Sequence, residues 1–252
     1  MSRRLEPIVL IKDGKFVEPP SEEEEVQKFA ETYLKPGLSY FLLWGGKEIG
    51  MVRVKEWVKE GCSGLVDEAE VEIAASLELR GEVGALATND SGLAQEKPSR
   101  RAPTESEKVR ALDVARDIYR SNGVSKKLLQ AIRVDQLVAA DLDSDKNPEI
   151  MGNFRIEEEE KLESGINSLI THALFLVLRD NRSVLQPLVV RFRSGSGEGY
   201  GEEKFLDHID LDKDGVAEIV TKSFGYEGWG YRIYKFLKNE WKEVYHGGGG
   251  GC

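Results

Sequence analysis

Short apolar and β-branched runs recur through residues 1–80, and residues 69–79 alternate between apolar and polar positions, so this part of the chain is predicted to be mostly strand. The turn dipeptide Asp13-Gly14 separates two short apolar runs and predicts a hairpin. One helix interrupts the pattern, because apolar side chains recur at helical spacing over residues 26–33 after an acidic run. Ser21 and Glu24 have the spacing of a capping box at the start of this helix.

The pattern changes after Arg80. Residues 81–103 are rich in Gly, Ser, Asn, Pro and charged residues, which is typical of a loop or linker. A helix then begins with Thr104 and Glu107 at capping-box spacing, and a second short helix is expected over residues 124–132. The remaining sequence is β-rich, and it ends in a predicted hairpin that turns at residues 238–239.

This order of elements predicts an α+β fold dominated by antiparallel sheets. We expect blade-like β units in the C-terminal half, with a few helices covering them. A complete β-propeller is not expected, because closure generally takes about four or more blades and the N-terminal half has no acidic loop. The predicted divisions are an N-terminal β-rich lobe with one helix (1–80), a linker (81–103), and a helical hairpin followed by a β-rich lobe (104–252).

The composition describes an acidic, folded chain. Its 252 residues include 35 Lys and Arg against 45 Asp and Glu, for a formal net charge of -10. This excess of acids argues against nucleic acid as a partner, because phosphate neutralisation needs a cationic surface. The longest apolar runs are much shorter than the roughly 20 residues of a membrane span, and the basic N-terminus lacks the apolar segment of a signal peptide.

Two acidic segments match each other, and they begin at Asp141 and Asp210. Both segments place acids at loop positions 1, 3, 5 and 9. Short oxygen ligands at alternate positions let a tight loop wrap a hard cation, with a backbone carbonyl near position 7, and Ca²⁺ suits such a loop better than Mg²⁺. The predicted ligands are Asp141, Asp143, Asp145, Asn147 and Glu149 in the first loop and Asp210, Asp212, Asp214, Val216 and Glu218 in the second.

These segments differ from EF-hand loops, which need a glutamate at position 12 and a helix on each side. Position 12 is Gly152 in the first loop and Thr221 in the second, and the flanking sequences read as strands. The pattern instead resembles the D-x-D-x-D-G-x-x-D calcium loop of FG-GAP/VCBS-like repeats, which lies between strands in integrin-type propellers. That resemblance covers the two loops and their flanking strands, and it implies a calcium-binding surface or secreted protein of bacteria or archaea.

The two loops differ at position 6, where a left-handed backbone is commonly needed. The second loop has Gly215 there, and glycine adopts this conformation without steric cost. The first loop has Lys146, which is expected to strain the turn by roughly 1 kcal/mol and adds a positive charge. We therefore rank the second loop above the first. The alternative for either loop is a metal-free turn whose Asp side chains bond their own backbone.

Other residues give weaker signals. Tyr226, Trp229 and Tyr231 are separated by glycines and are candidates for stacking on a sugar or peptide, although packing between strands is favoured. Cys62 and Cys252 are candidates for a disulfide, which would imply an oxidising compartment. The alternatives are two free thiols, or a flexible glycine tail that presents Cys252 to another chain.

The leading hypothesis is a calcium-binding protein with a structural or binding role and without enzymatic activity. We expect it to be secreted, periplasmic or at the cell surface, with a protein or glycan as its partner. One alternative is a secreted hydrolase acting on polysaccharide or peptide, although the sequence identifies no catalytic acid or base for it. His208 lies beside Asp207 and could act in acid-base chemistry, but a partly buried or surface histidine is the simpler interpretation. The other alternative is a self-assembling surface or filament subunit.

Overall fold

The computed structural model describes residues 3–58, 68–76, 84–95, 99–161, 167–181, 184–196, 201–226 and 228–251. The strands are β1 (Arg4–Leu5), β2 (Leu10–Lys12), β3 (Lys15–Val17), β4 (Ser39–Trp44), β5 (Lys47–Val58), β6 (Glu68–Ala75), β7 (Leu86–Thr88), β8 (Arg133–Ala140), β9 (Glu149–Lys161), β10 (Asn167–Asn181), β11 (Val184–Ser196), β12 (Glu202–Ile209), β13 (Glu218–Phe224), β14 (Gly228–Leu237) and β15 (Glu240–Gly251). The helices are α1 (Glu23–Tyr33) and α2 (Glu105–Ser121), with short 3-10 helices at Ser91–Leu93 and Leu128–Ala131.

These strands form three larger antiparallel sheets and the small hairpin β2-β3. The N-terminal sheet has the order β1-β6-β5-β4-β7. The first meander consists of β8 to β11 and the second meander of β12 to β15, each with its strands in sequence order. The predicted β-dominated α+β fold is confirmed, and the sheets of the described residues do not close into a propeller.

The two meanders pack face to face, and the β4–β7 edge of the N-terminal sheet packs on the second meander. Helix α2 packs with Ala115 on one face of the first meander. The other face meets the second meander, where Phe175 and Tyr234 share one core. Leu43 of the N-terminal sheet reaches the far face of the second meander, and Ala30 of α1 lies in the core on the opposite side of the N-terminal sheet. The order of layers is α2, first meander, second meander, N-terminal sheet, α1.

Strand β10 shows how this stacking follows from the sequence. It contains the continuous apolar run 173–178, which is typical of a strand that is buried on both faces. Leu174 and Leu176 point toward α2, whereas Phe175 and Val177 point toward the second meander. The period of two therefore supplies two different cores from one strand.

The two meanders repeat each other. Strands β8 and β9 begin at Arg133 and Glu149, and the corresponding strands β12 and β13 begin at Glu202 and Glu218, so the same interval separates the starts within each meander. In each meander an acidic loop joins the first strand to the second. The two loops are neighbours in space, because the N–H of Ala217 donates to the carbonyl of Leu142 at 2.8 Å.

The helix starts and the second helix differ in part from expectation. The capping box at Thr104 and Glu107 is confirmed, with both of its hydrogen bonds present. The predicted capping box of Ser21 and Glu24 is wrong. The N-cap residue of α1 is Glu22, which makes no side-chain capping bond, and Ser21 lies one residue before it. The short helix expected over residues 124–132 is reduced to the 3-10 turn at Leu128–Ala131.

The predicted linker contains ordered structure in the part that is described. Strand β7 pairs with β4, and its Leu86 is buried. Arg101 pairs with Ala139 through backbone hydrogen bonds of 2.8 and 3.0 Å. Strand β7 and the pairing of Arg101 were not predicted, because the composition is polar and rich in glycine and because such short segments show no hydrophobic periodicity.

The glycine tail is the clearest correction to the sequence analysis. Residues 247–251 form the end of β15 and pair with β14. At Gly249, whose φ is 132°, an added Cβ would lie 2.1 Å from the carbonyl oxygen of Trp229. The segment is therefore a closely packed strand, which excludes a flexible tail up to residue 251. Cys62 and Cys252 both lie outside the described residues, so their pairing stays a prediction.

The lengths and compositions of the two described α-helices can be compared with those of a membrane-spanning helix. Neither α1 nor α2, the two α-helices in the described part of the chain, has the length and apolar character that crossing a membrane requires.

Candidate metal centre

The acidic loops are built by the same backbone hydrogen bonds. In the second loop, the carboxylate of Asp210 accepts from the N–H of Asp214 at 3.1 Å and from that of Gly215 at 2.9 Å. In the first loop, Asp141 accepts from the residues four and five positions on, at 3.1 and 3.0 Å. The first aspartate of each loop therefore fixes the turn that brings the following acids together.

The left-handed backbone expected at position 6 is present in both loops. Gly215 has a φ of 92° and Lys146 has a φ of 70°. Position 4 is left-handed as well, with φ values of 60° at Ser144 and 62° at Lys213. The left-handed position 4 was not predictable from the sequence, because neither serine nor lysine signals this conformation.

Each loop gathers a group of carboxylates. Oxygen atoms of Asp210, Asp212 and Glu218 lie within 4.8 Å of one another, as do oxygen atoms of the three aspartates at 141, 143 and 145 in the first loop. Either group could hold a metal ion. The predicted ligand Asp214 is turned differently, because its carboxylate accepts from the N–H of Val216 at 3.0 Å and from Lys235. The carbonyl ligands at Asn147 and Val216 stay predictions.

Glu218 is the buried member of the second group. The residue is 1% exposed, and one carboxylate oxygen, Oε2, accepts from the N–H of Leu211 at 2.7 Å. The other oxygen, Oε1, accepts no hydrogen bond from any described residue, and the ammonium of Lys235 lies 3.3 Å from it. Burial raises the pKa of Glu218 to about 7, against the opposing effects of Leu211 and Lys235. A bound cation would favour the ionised carboxylate.

Lys235, on strand β14, places an ammonium among the carboxylates of the second loop. Its Nζ contacts Asp212, lies 2.8 Å from Asp214 and lies 3.3 Å from Glu218. Burial lowers the pKa of Lys235, but the hydrogen bonds to Asp212 and Asp214 outweigh this and raise it. The lysine therefore stays charged and neutralises part of the cluster.

Arg179, on strand β10, has the corresponding position at the first loop. Its Nε donates to Glu149 at 2.7 Å and its Nη2 donates to Asp143 at 2.5 Å. Glu149 is fully buried, and its second oxygen accepts from the N–H of Leu142 at 3.2 Å. Burial raises the pKa of Glu149, and Arg179 opposes that shift. Neither Lys235 nor Arg179 was predicted as part of its loop, because each comes from the third strand of its meander rather than from the loop.

The aromatic candidates are separated in the structure. Tyr226 is 75% exposed, whereas Tyr231 is buried. The indole of Trp229 donates to a carboxylate oxygen of Glu6 at 3.0 Å, and the hydroxyl of Tyr231 donates to the same oxygen. Lys222 also contacts that oxygen, at 2.7 Å. Trp229 and Tyr231 therefore bind the N-terminal segment, and Tyr226 alone has an open ring; ligand stacking by the three residues stays a prediction.

His208 and Asp207 are both buried and have structural partners. The ring Nε2 of His208 lies 2.6 Å from the hydroxyl of Ser99. The carboxylate of Asp207 accepts from the N–H of Gly45 at 2.7 Å and from Arg100 at 3.2 Å. These contacts join the second meander to the β4–β5 turn and to residues 99–100. His208 is fully buried, so the expectation of a partly buried or surface histidine is wrong in that respect.

The geometry of the two loops thus gives two carboxylate groups at adjacent turns, one of them with a buried carboxylate oxygen directed toward the cluster. Oxygen ligands of this kind suit a hard cation such as Ca²⁺ or Mg²⁺. The chain matches no protein-family model, no curated protein and no solved structure.

Proposed function

We propose that this chain is a calcium-binding protein with a structural or binding role, and that its second acidic loop is the metal site. The observation that carries the proposal is the group formed by Asp210, Asp212 and Glu218. All of its ligand atoms are carboxylate oxygens, and an irregular loop suits calcium better than the strict octahedron of magnesium. The pattern of acids, which resembles the loop of FG-GAP repeats, supports the same ion.

The ion would act at a junction of the fold. The second loop joins β12 to β13, is bonded to the first loop through Ala217, and contacts the N-terminal half where Lys213 pairs with Asp90 at 2.9 Å. Binding to the folded loop stabilises the fold by mass action. FG-GAP-like repeats are usually extracellular, and millimolar calcium outside cells fills weak sites of this kind. We therefore infer a secreted, periplasmic or surface protein whose partner is a protein or glycan.

Calorimetric titration of the metal-free chain with calcium chloride tests this function. We expect saturable binding and a rise in melting temperature at millimolar calcium, with a smaller rise for magnesium. Asp210→Ala and Asp212→Ala should remove both effects at the second loop. Asp117→Ala is the matched control, because Asp117 is an exposed aspartate of α2 that pairs only with Arg120 in the described structure. The absence of both heat and a melting shift in the unaltered chain would refute the proposal.

A further inference from the structure

Each acidic loop already contains a positive charge supplied by the chain itself. At the second loop it is the ammonium of Lys235, and at the first loop it is the guanidinium of Arg179. Both side chains come from the third strand of their meander, which is β10 for the arginine and β14 for the lysine. Because a calcium ion would need the same carboxylate oxygens, it has to compete with these side chains.

The two loops differ in which carboxylate oxygens remain for a metal. Both oxygens of Glu149 are used, one by Arg179 and the other by the N–H of Leu142. At the equivalent Glu218, Oε2 accepts from the N–H of Leu211, whereas Oε1 accepts no hydrogen bond among the described residues and lies 3.3 Å from the ammonium of Lys235. One oxygen of the buried glutamate in the second loop therefore becomes available to an ion when Lys235 leaves, whereas both oxygens of Glu149 in the first loop are held by hydrogen bonds.

The two basic side chains also differ in how they are held. The guanidinium of Arg179 binds two carboxylates with a rigid fork and lies 5.7 Å from the centre of the Phe236 ring. Lys235 carries a compact charge at the end of a flexible stem, so it can withdraw toward solvent without losing a directional pair of bonds. Its exit leaves the backbone bonds of Asp210 in place, because these involve no lysine.

We propose that Lys235 is a tethered counter-ion that calcium displaces from the second loop, whereas Arg179 closes the first loop, so that the chain binds one calcium ion. This inference rests on the proposed function and adds its stoichiometry and the residue that sets its affinity. In the metal-free protein the lysine neutralises the cluster and keeps the loop folded. Calcium binding is then an exchange of one cation for another, and its apparent affinity is lower than the loop alone would give.

Calorimetric titration of the full chain and of substituted chains with calcium chloride at constant pH tests the proposal. We expect one ion per chain for the unaltered protein, and one ion bound about tenfold more tightly for Lys235→Met. Arg179→Met should bind two ions. The controls remove the same charge elsewhere: Lys238→Met in the β14–β15 turn, and Arg193→Met on β11, both at exposed positions. Neither control should change the affinity by more than about twofold.

Arg179→Met leaves Glu149 buried without its partner and is expected to be less stable. Arg179→Lys is therefore the second variant, because it keeps the charge, restores a displaceable side chain and should also open the first loop. An unchanged affinity in Lys235→Met, or a single ion in Arg179→Lys, would overturn the inference while leaving calcium binding intact. Binding by the Lys235→Met chain alone would overturn both proposals, because calcium would then fail to displace the lysine of the unaltered chain. Binding by no variant would overturn both.

Discussion

The residue at position 6 of each acidic loop determines how much backbone strain the turn contains. Gly215 and Lys146 have the same left-handed backbone, and both are preceded two positions earlier by another left-handed residue. An added Cβ at Gly215 would meet no atom within 4 Å, so a side chain there costs backbone strain alone. Left-handed strain amounts to about 1–2 kcal/mol for a residue with a side chain.

We expect Gly215→Ala to lower the free energy of unfolding of the metal-free protein by about 1 kcal/mol, because alanine must adopt the left-handed backbone. Lys146→Gly should raise it by less than about 1 kcal/mol, since part of the relief is offset by the freer unfolded chain. Urea unfolding in the presence of a chelator measures both changes. Gly225→Ala is the control, because Gly225 has no positive φ and its nearest contact to an added Cβ is at 3.7 Å. Equal effects at positions 215 and 225 would contradict this account.

Glu107 links the start of α2 to the preceding segment. Its carboxylate accepts two hydrogen bonds from Arg101, at 2.7 and 2.8 Å, and one from the N–H of Thr104 at 2.6 Å. The guanidinium of Arg101 is the main reason why the pKa of Glu107 falls from 4.5 to about 2. A carboxylate whose pKa is lower in the folded state contributes stability above its unfolded pKa, and this contribution is lost as the pH falls.

Glu107→Gln should therefore lower the free energy of unfolding by about 1 kcal/mol at pH 7, through loss of the charged contacts at the helix start. The difference from the unaltered protein should shrink as the pH falls from 4.5 toward about 2, where the carboxyl group becomes protonated in both states. Denaturant titrations over this pH range provide the measurement. Glu105→Gln serves as control, because that glutamate is exposed and pairs only with the neighbouring Lys108 in the described structure. A difference that does not depend on pH would argue against this origin.

At the level of the element, β15 illustrates how a strand can depend on the absence of side chains. Five consecutive glycines read as a linker, yet they pair with the strand that contains Trp229. An added Cβ at Gly250 would lie 2.9 Å from the ring of Trp229, and one at Gly248 would lie 2.4 Å from the carbonyl oxygen of Ile8. These glycines let the end of β15 approach both the tryptophan and the N-terminal segment, so the strand forms without side-chain packing of its own.

Gly249→Ala tests this packing. The new methyl group would contact backbone rather than a movable side chain, and we expect a loss of about 2–3 kcal/mol in the free energy of unfolding. For a chain of this size, that corresponds to a fall of roughly 5–10 °C in melting temperature. The Gly225→Ala variant again gives the baseline for a glycine in an open position. A melting temperature within about 1 °C of the unaltered protein would show that the end of β15 is not packed in this way.

The elements of this fold follow from the sequence more closely than their contacts do. The apolar run of β10 predicts a strand buried on both faces, but the period of two does not say which layers those faces meet. The acids at 210, 212 and 218 are close in sequence, so their loop was predictable. Lys235 and Arg179 lie well beyond the ends of their loops, each two strands further along the chain. Their place in the loops depends on strand register, which no local pattern specifies.

At the scale of the whole molecule, each pair of neighbouring layers shares a buried core. Layers coupled in this way are expected to unfold together, because exposing one face of a sheet also exposes its neighbour. Buried polar contacts reinforce the coupling across layers. The side chain of Asn153 in the first meander donates to the carbonyl of Glu203 in the second and accepts from the N–H of Phe205 at 3.0 Å.

Equilibrium unfolding in urea should therefore show one transition for all layers. Two variants, one keeping only Trp44 of the N-terminal sheet and the other only Trp241 of the second meander, would report on separate layers by fluorescence. In each variant, we expect the urea midpoint measured by tryptophan fluorescence to coincide with the midpoint measured by circular dichroism. Separate midpoints would instead support the predicted N- and C-terminal lobes as independent units.

The two helices have a consequence for how such a chain can change in length. Repeat arrays grow by adding units that stack on an uncovered face, and their terminal units carry caps that end the stack. Here α1 covers the outer face of the N-terminal sheet and α2 covers the outer face of the first meander. A further repeat that stacked on either of these outer faces would have to displace a helix, so the two helices act as the caps of the described stack.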